Sequence, residues 1–176
     1  MNRKSFAVGL GIAAWILIGP PSGLGQEAGE AKAPPARKIP GLTAKDEFPK
    51  ACVSCHINIP ERKMDTRFST LLGQWRVSVE PALLAKAQAA APAGVTLKGK
   101  HPRVPPGALR NIPTACIKCH TPTSKTAPAF ARMIHLTHLT GGDENHFLTE
   151  FQGECTHCHK LNEKTGAWSI PSAPQP

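Results

Sequence analysis

The six cysteines of this 176-residue chain fall into three pairs, Cys52-Val-Ser-Cys55, Cys116-Ile-Lys-Cys119 and Cys155-Thr-His-Cys158. A histidine follows each pair at once, His56, His120 and His159, and no cysteine is left over. Any fold open to the chain must therefore bring two thiols and an imidazole together three times. Cys-x-x-Cys-His is the spacing at which two thiols add across the two vinyl groups of one porphyrin while the histidine reaches its iron. A zinc site would have to collect four ligands from these pairs, and it gives no reason for the histidine after every second cysteine. A disulfide scaffold or a dithiol redox site leaves the three histidines equally unexplained. The motifs predict three covalently attached haem c groups, with His56, His120 and His159 as proximal iron ligands.

Three porphyrins would also answer a shortage. Aromatic residues make up 5% of the chain and tyrosine is absent, which is little for a domain that must build its own apolar core. The expectation is a mainly α chain with extensive loops, wrapped around its cofactors rather than folded before it meets them.

The N-terminus reads as an export signal. Met1-Asn2-Arg3-Lys4-Ser5 is a basic lead, Phe6 to Gly19 is an apolar run, and Pro20 to Gly25 is a small-residue exit before Gln26. This predicts a secretory signal peptide over residues 1–25. The run is shorter than the about 20 apolar residues of a bilayer span, so an N-terminal membrane anchor is the alternative. The expected destination is the bacterial periplasm, or beyond it the extracellular space, on the side of the membrane where haem c is attached. Residues 26–41, rich in Ala, Gly, Glu, Lys and Pro, are expected to be a disordered linker. A trihaem domain is expected over 42–168 and a disordered tail over 169–176.

The formal net charge is +9. Arg3 and Lys4 leave with the signal, and the propionates of three ferric haems lower the sum to about +4. For an exported haem protein this indicates acidic redox partners or a solvated surface rather than nucleic acid.

Phe68, Leu71, Leu72 and Trp75 stand at i, i+3, i+4 and i+7 and predict a helix within 66–77. A second helix is expected from Pro81 to Ala91, and a third from about Pro128 to the Gly141-Gly142 pair. Residues 93–113 carry four prolines and read as an extended connection.

The distal side of each iron needs a ligand. His157 lies inside its own motif and should point away from that iron. The remaining candidates are His101, His135, His138 and His146, three of which are needed. His135 and His138, three apart on the third helix, could serve two different haems, and His101 and His146 compete for the third. Met64 and Met133 are poorly placed beside four histidines, so bis-histidine ligation is expected, which favours low potentials.

Over Phe48 to Trp168 the chain resembles a small multihaem c-type cytochrome. The His135-x-x-His138 helix leading to Cys155-x-x-Cys158-His159 is similar to modules of periplasmic decahaem electron conduits. That resemblance implies that both histidines are distal ligands. It also implies a small multihaem cytochrome c fold that passes single electrons between periplasmic or membrane redox partners, such as a membrane oxidoreductase complex or other multihaem cytochromes, with no catalytic residue of its own. The alternatives are a haem subunit of a larger oxidoreductase, or a catalytic reductase of a small oxyanion such as nitrite. A catalytic reductase would need an open iron beside a group such as Lys118 or Arg132.

Overall fold

The computed structural model describes residue 36 and residues 38–176. The expected signal peptide and most of the expected linker lie outside them. The three motifs become three copies of one local structure: α1 (Cys52–Cys55), α4 (Thr114–Ile117) and a 3-10 turn at Cys155–His157. In each, the N–H of the motif histidine donates to the carbonyl of the first cysteine, at 2.9, 3.0 and 2.8 Å for His56, His120 and His159. A single helical turn of this kind brings residues i and i+3 to the same side of the backbone, so both thiols of a motif face one way.

Longer helices hold these turns in place. α2 (Phe68–Trp75) lies where the apolar periodicity puts it, and α3 (Pro81–Ala89) starts at the expected Pro81 and ends two residues before Ala91. Pro81 occupies the first turn of α3, where its missing N–H costs nothing, and the Glu80 carboxylate accepts from the N–H groups of Ala82 and Leu83 at 2.9 Å each. α5 (Phe130–Leu139) ends just before Gly141, whose φ of 109° is open to glycine and costly for other residues.

The last carbonyls of α5 have no helical partner and are taken up from outside the helix. Lys86 Nζ, from α3, donates to the carbonyls of Thr137 and Thr140 at 3.2 and 3.0 Å. Its charge suits the negative end of the helix dipole. Asn145 Nδ2 donates to the carbonyls of Thr137, His138 and Thr140 at 3.1, 2.9 and 2.8 Å. The Asn145 Oδ1 accepts from the N–H of Phe147 and so caps α6 (His146–Thr149). One side chain therefore joins the end of α5 to the start of α6.

Two hairpins complete the elements: β1 (Asn58–Ile59) pairs antiparallel with β2 (Met64–Asp65), and β3 (Lys160–Asn162) with β4 (Ala167–Ser169). At two or three residues a strand shows no readable alternation, so periodicity could not announce them. Among the described residues, ion pairs of Arg62 with Glu150 at 2.8 Å and of Lys160 with Asp46 at 3.0 Å cross the chain. Both tie the surroundings of the first motif to those of the third. Among the described residues no helix is long and apolar enough to cross a membrane.

The segment 169–176 forms a bonded strap: Ile112 and Ala173 exchange both backbone hydrogen bonds at 3.0 and 2.9 Å. Ser172 Oγ accepts from the N–H of Thr114, and Gln175 Oε1 from the N–H of Ser69. Small polar residues and prolines suggested disorder, but here their backbone groups are satisfied by a neighbour far away in sequence.

The polypeptide builds little core of its own. Among the described residues the buried hydrophobic ones are Ala51, Val53, Ala90 and Ile112, and the largest fully buried side chains are Ile112 and Pro113. An apolar interior this small cannot offset the conformational entropy of ordering so long a chain.

Candidate functional site

The structure brings six of the seven proximal and distal histidine candidates together in three pairs. His56 faces His138 with ring centres 6.2 Å apart, His120 faces His101 at 6.0 Å, and His159 faces His135 at 6.1 Å. Each pair joins one motif histidine to one histidine from outside the motifs. With metal–imidazole bonds of about 2 Å and ring centres about 1.1 Å behind the ligating nitrogens, two imidazoles on opposite sides of one iron hold their centres about 6.2 Å apart. The three separations lie within 0.2 Å of that value.

Tautomers in the first two pairs point the same way. His56 Nδ1 lies 2.8 Å from the carbonyl of Thr66, and His138 Nδ1 lies 3.0 Å from that of Ile134. His120 Nδ1 lies 2.8 Å from the carbonyl of Pro128, and His101 Nδ1 lies 2.8 Å from that of Pro102. A carbonyl can only accept, so each Nδ1 carries the proton and donates it. In the neutral ring this leaves the Nε2 lone pair free, the state in which histidine ligates a metal. Burial favours the neutral form of three of these rings: it pushes the His56 imidazole down to about 4, and it lowers His120 and His138 as well. Phe68 of α2 stacks on His56 with ring centres 4.2 Å apart and fixes that ring from the side.

Helix α5 touches all three pairs. The N–H of Phe130 donates to the carbonyl of His120 at 3.0 Å. Further along, His135 reaches the third motif and His138 the first. Three residues of helix turn the two side chains through about 300°, or 60° the short way round, enough to serve two adjacent sites from one helix.

His146 is in none of these pairs. It is exposed beside the first pair, near enough that its charge lowers both His56 and His138. Nine residues of sequence separate it from Cys155, but its place at the start of α6, set by the Asn145 cap, does not bring it to a motif histidine. His101, held by its own N–H donating to the carbonyl of Trp75 at 2.8 Å, takes that role. His157 packs between Phe48, Phe147 and Phe151, with the Phe48 ring centre 4.6 Å away. It faces none of the motif histidines.

None of the six cysteines is joined to another in a disulfide. Burial pushes the Cys52 and Cys55 thiols up to about 11, with a further rise from Cys158, which is their neighbour. Burial also raises Cys116 and Cys158. Among the described residues, no group of three or more His, Cys, Asp or Glu side chains is arranged to hold a metal ion. A porphyrin fits this donor set, because it supplies four iron ligands itself and asks the chain for two imidazoles and two thiols. Two buried polar atoms inside the third motif, Thr156 Oγ1 and His157 Nδ1, have no hydrogen-bond partner. A cofactor bearing carboxylates could satisfy them.

Some positioning groups were not visible in the sequence. The carbonyls of Thr66, Pro102, Pro128 and Ile134 act through backbone placement, which no residue pattern reports. Asn145 had a faint signal, an Asn at the foot of a short helix. No family profile, curated protein or solved structure matches this chain.

Proposed function

We propose that the protein is an exported trihaem c-type cytochrome that carries single electrons between redox partners in the periplasm. The observation that carries the reading is the pairing of every motif histidine with one other histidine at 6.0 to 6.2 Å. Cys52, Cys55, His56 and His138 would hold one haem. Cys116, Cys119, His120 and His101 would hold the second, and Cys155, Cys158, His159 and His135 the third. Bound haem supplies one-electron exchange between ferric and ferrous iron.

The chain's own part is orientation and exclusion of water. Backbone carbonyls fix the Nδ1 protons of His56, His101, His120 and His138, burial favours the uncharged form of His56, His120 and His138, and Phe68 holds His56 against rotation. Ligation on both sides favours transfer over catalysis, because an oxyanion reductase needs an iron with a vacant position. Two of the sites lie close together, since His135 and His138 share α5 and Cys158 neighbours Cys52 and Cys55. Electrons can pass between such neighbours without the protein moving. The small polypeptide core supports the same reading, because three porphyrins would provide the missing apolar interior. Export rests on the N-terminal sequence.

The test is an intact mass and a quantitative haem assay on the secreted protein, with EPR of the oxidised state. Three covalent haems per chain, all low-spin, support the proposal. A mass without haem overturns it, and a high-spin ferric component moves the reading to catalysis at an open iron.

A further inference from the structure

The charges of this chain are segregated along it. From Pro81 to Gly142 there are eight basic residues and no acidic one, whereas the segments on either side contain all twelve Asp and Glu. The second motif and its partner histidine, His101, both lie inside the basic segment. The three ion pairs among the described residues, Arg62 with Glu150, Arg67 with Asp65 and Lys160 with Asp46, all lie outside it.

Within the segment only Lys86 has a structural use, at the end of α5. Lys98, Lys100, Arg103, Lys118, Lys125 and Arg132 are exposed, and none has a carboxylate partner among the described residues. Several sit close to the second histidine pair. Lys100 and Arg103 flank His101, and Lys118 stands between the two cysteines of the motif beside Ile117, an apolar side chain 39% exposed. Arg132 and the loop at residues 121–124 that follows His120 line one shallow cleft. Exposed like charges repel and contribute nothing to folding, so a cluster with no counter-charge is a cost unless something outside the molecule uses it.

We propose that the surface around the His101–His120 pair is the docking face for an acidic redox protein, so that the second site is where electrons enter or leave. The inference rests on the trihaem reading above. Charge complementarity selects the partner class and speeds encounter. A porphyrin at this site would bring a pair of propionates, too few to cancel the cations around it. Nucleic acid is a poorer fit, because Phe130 is the one aromatic residue between Pro81 and Gly142 and offers no stacking platform. The other two sites lie next to each other, since His135 and His138 share α5 and Cys158 neighbours Cys52 and Cys55, and ion pairs tie their surroundings together, which suits an internal relay.

The test uses the haem-loaded full chain and an acidic flavodoxin as probe. Carbodiimide joins lysines to carboxylates only where the two proteins touch, and mass spectrometry locates the links. Links at Lys98, Lys100, Lys118 and Lys125 are expected. Replacing those four lysines with alanine should weaken binding about tenfold at low salt, with three haems per chain retained. Links concentrated at Lys45, Lys50, Lys63 or Lys164 overturn the proposal, as do links between two copies of this chain or binding indifferent to salt. Haem content measured on the same samples separates this failure from failure of the trihaem reading.

Discussion

The ring planes of the three histidine pairs differ, and the difference is measurable. His56 and His138 stand at 78°, while His101 and His120 stand at 22° and His135 and His159 at 35°. Low-spin ferric iron keeps its unpaired electron in two orbitals of π symmetry, and each imidazole raises the one that overlaps its own π system. Near-parallel rings raise the same orbital, split the pair and give a rhombic EPR signal. Near-perpendicular rings raise both, leave them almost equal and drive the largest g value upward. The oxidised protein should therefore show one highly anisotropic low-spin signal and two rhombic ones, a ratio of about 1:2 by spin integration. His101→Ala should remove one rhombic signal and turn about one third of the iron high-spin, because His101 is the only histidine facing His120. His138→Ala should instead remove the anisotropic signal. His146→Ala should leave all three unchanged. Three rhombic signals in the native protein would refute the ring geometry, and a high-spin signal from His146→Ala but not His101→Ala would refute the pairing.

Asn145→Ala removes the cap of α6 and the donor to three carbonyls at the end of α5. The expected loss is about 2 kcal/mol from the cap and unsatisfied carbonyls together, read from denaturant unfolding of the haem-loaded protein; a loss under about 0.5 kcal/mol would contradict it. The pH dependence follows from His56, whose folded value of about 4 lies below its ordinary 6.5. Between those values the unfolded ring takes a proton that the folded ring refuses. This contribution is therefore complete above 6.5, shrinks as pH falls and is gone below about 4. Coordination of Nε2 acts in the same direction, so the low-spin spectrum should persist at pH 5, and a spectral midpoint near 6.5 would count against a buried ligand. Removing residues 170–176 should uncover Ile112, which is 1% exposed, and open the preceding turn at 106–110 to protease while the first and third sites keep their spectra. Equal loss at all three sites would show that the strap supports the whole domain. Replacing all six cysteines with serine should leave a chain without cooperative unfolding in circular dichroism, because the four hydrophobic residues buried among the described ones are too few to hold it.

The motifs determined a great deal without the fold. A thiol pair and its histidine lie within five residues, so one helical turn sets their relation whatever surrounds them, and the chain repeats that turn at Cys52, Cys116 and Cys155. The longer helices were legible for the same local reason: the apolar stripe of α2, the proline at the start of α3, and the glycines after α5. The partner of each motif histidine was not. His101 and His146 looked alike in sequence, each a short way before a motif, and only the fold decided between them. A hydrogen bond to the Trp75 carbonyl sets His101 opposite His120, whereas the Asn145 cap leaves His146 exposed beside another pair. The same holds for the strap at 169–176 and for the carbonyls that fix the ring protons. Their bonding depends on residues distant in the chain, and composition carries no record of which distant backbone a segment will meet.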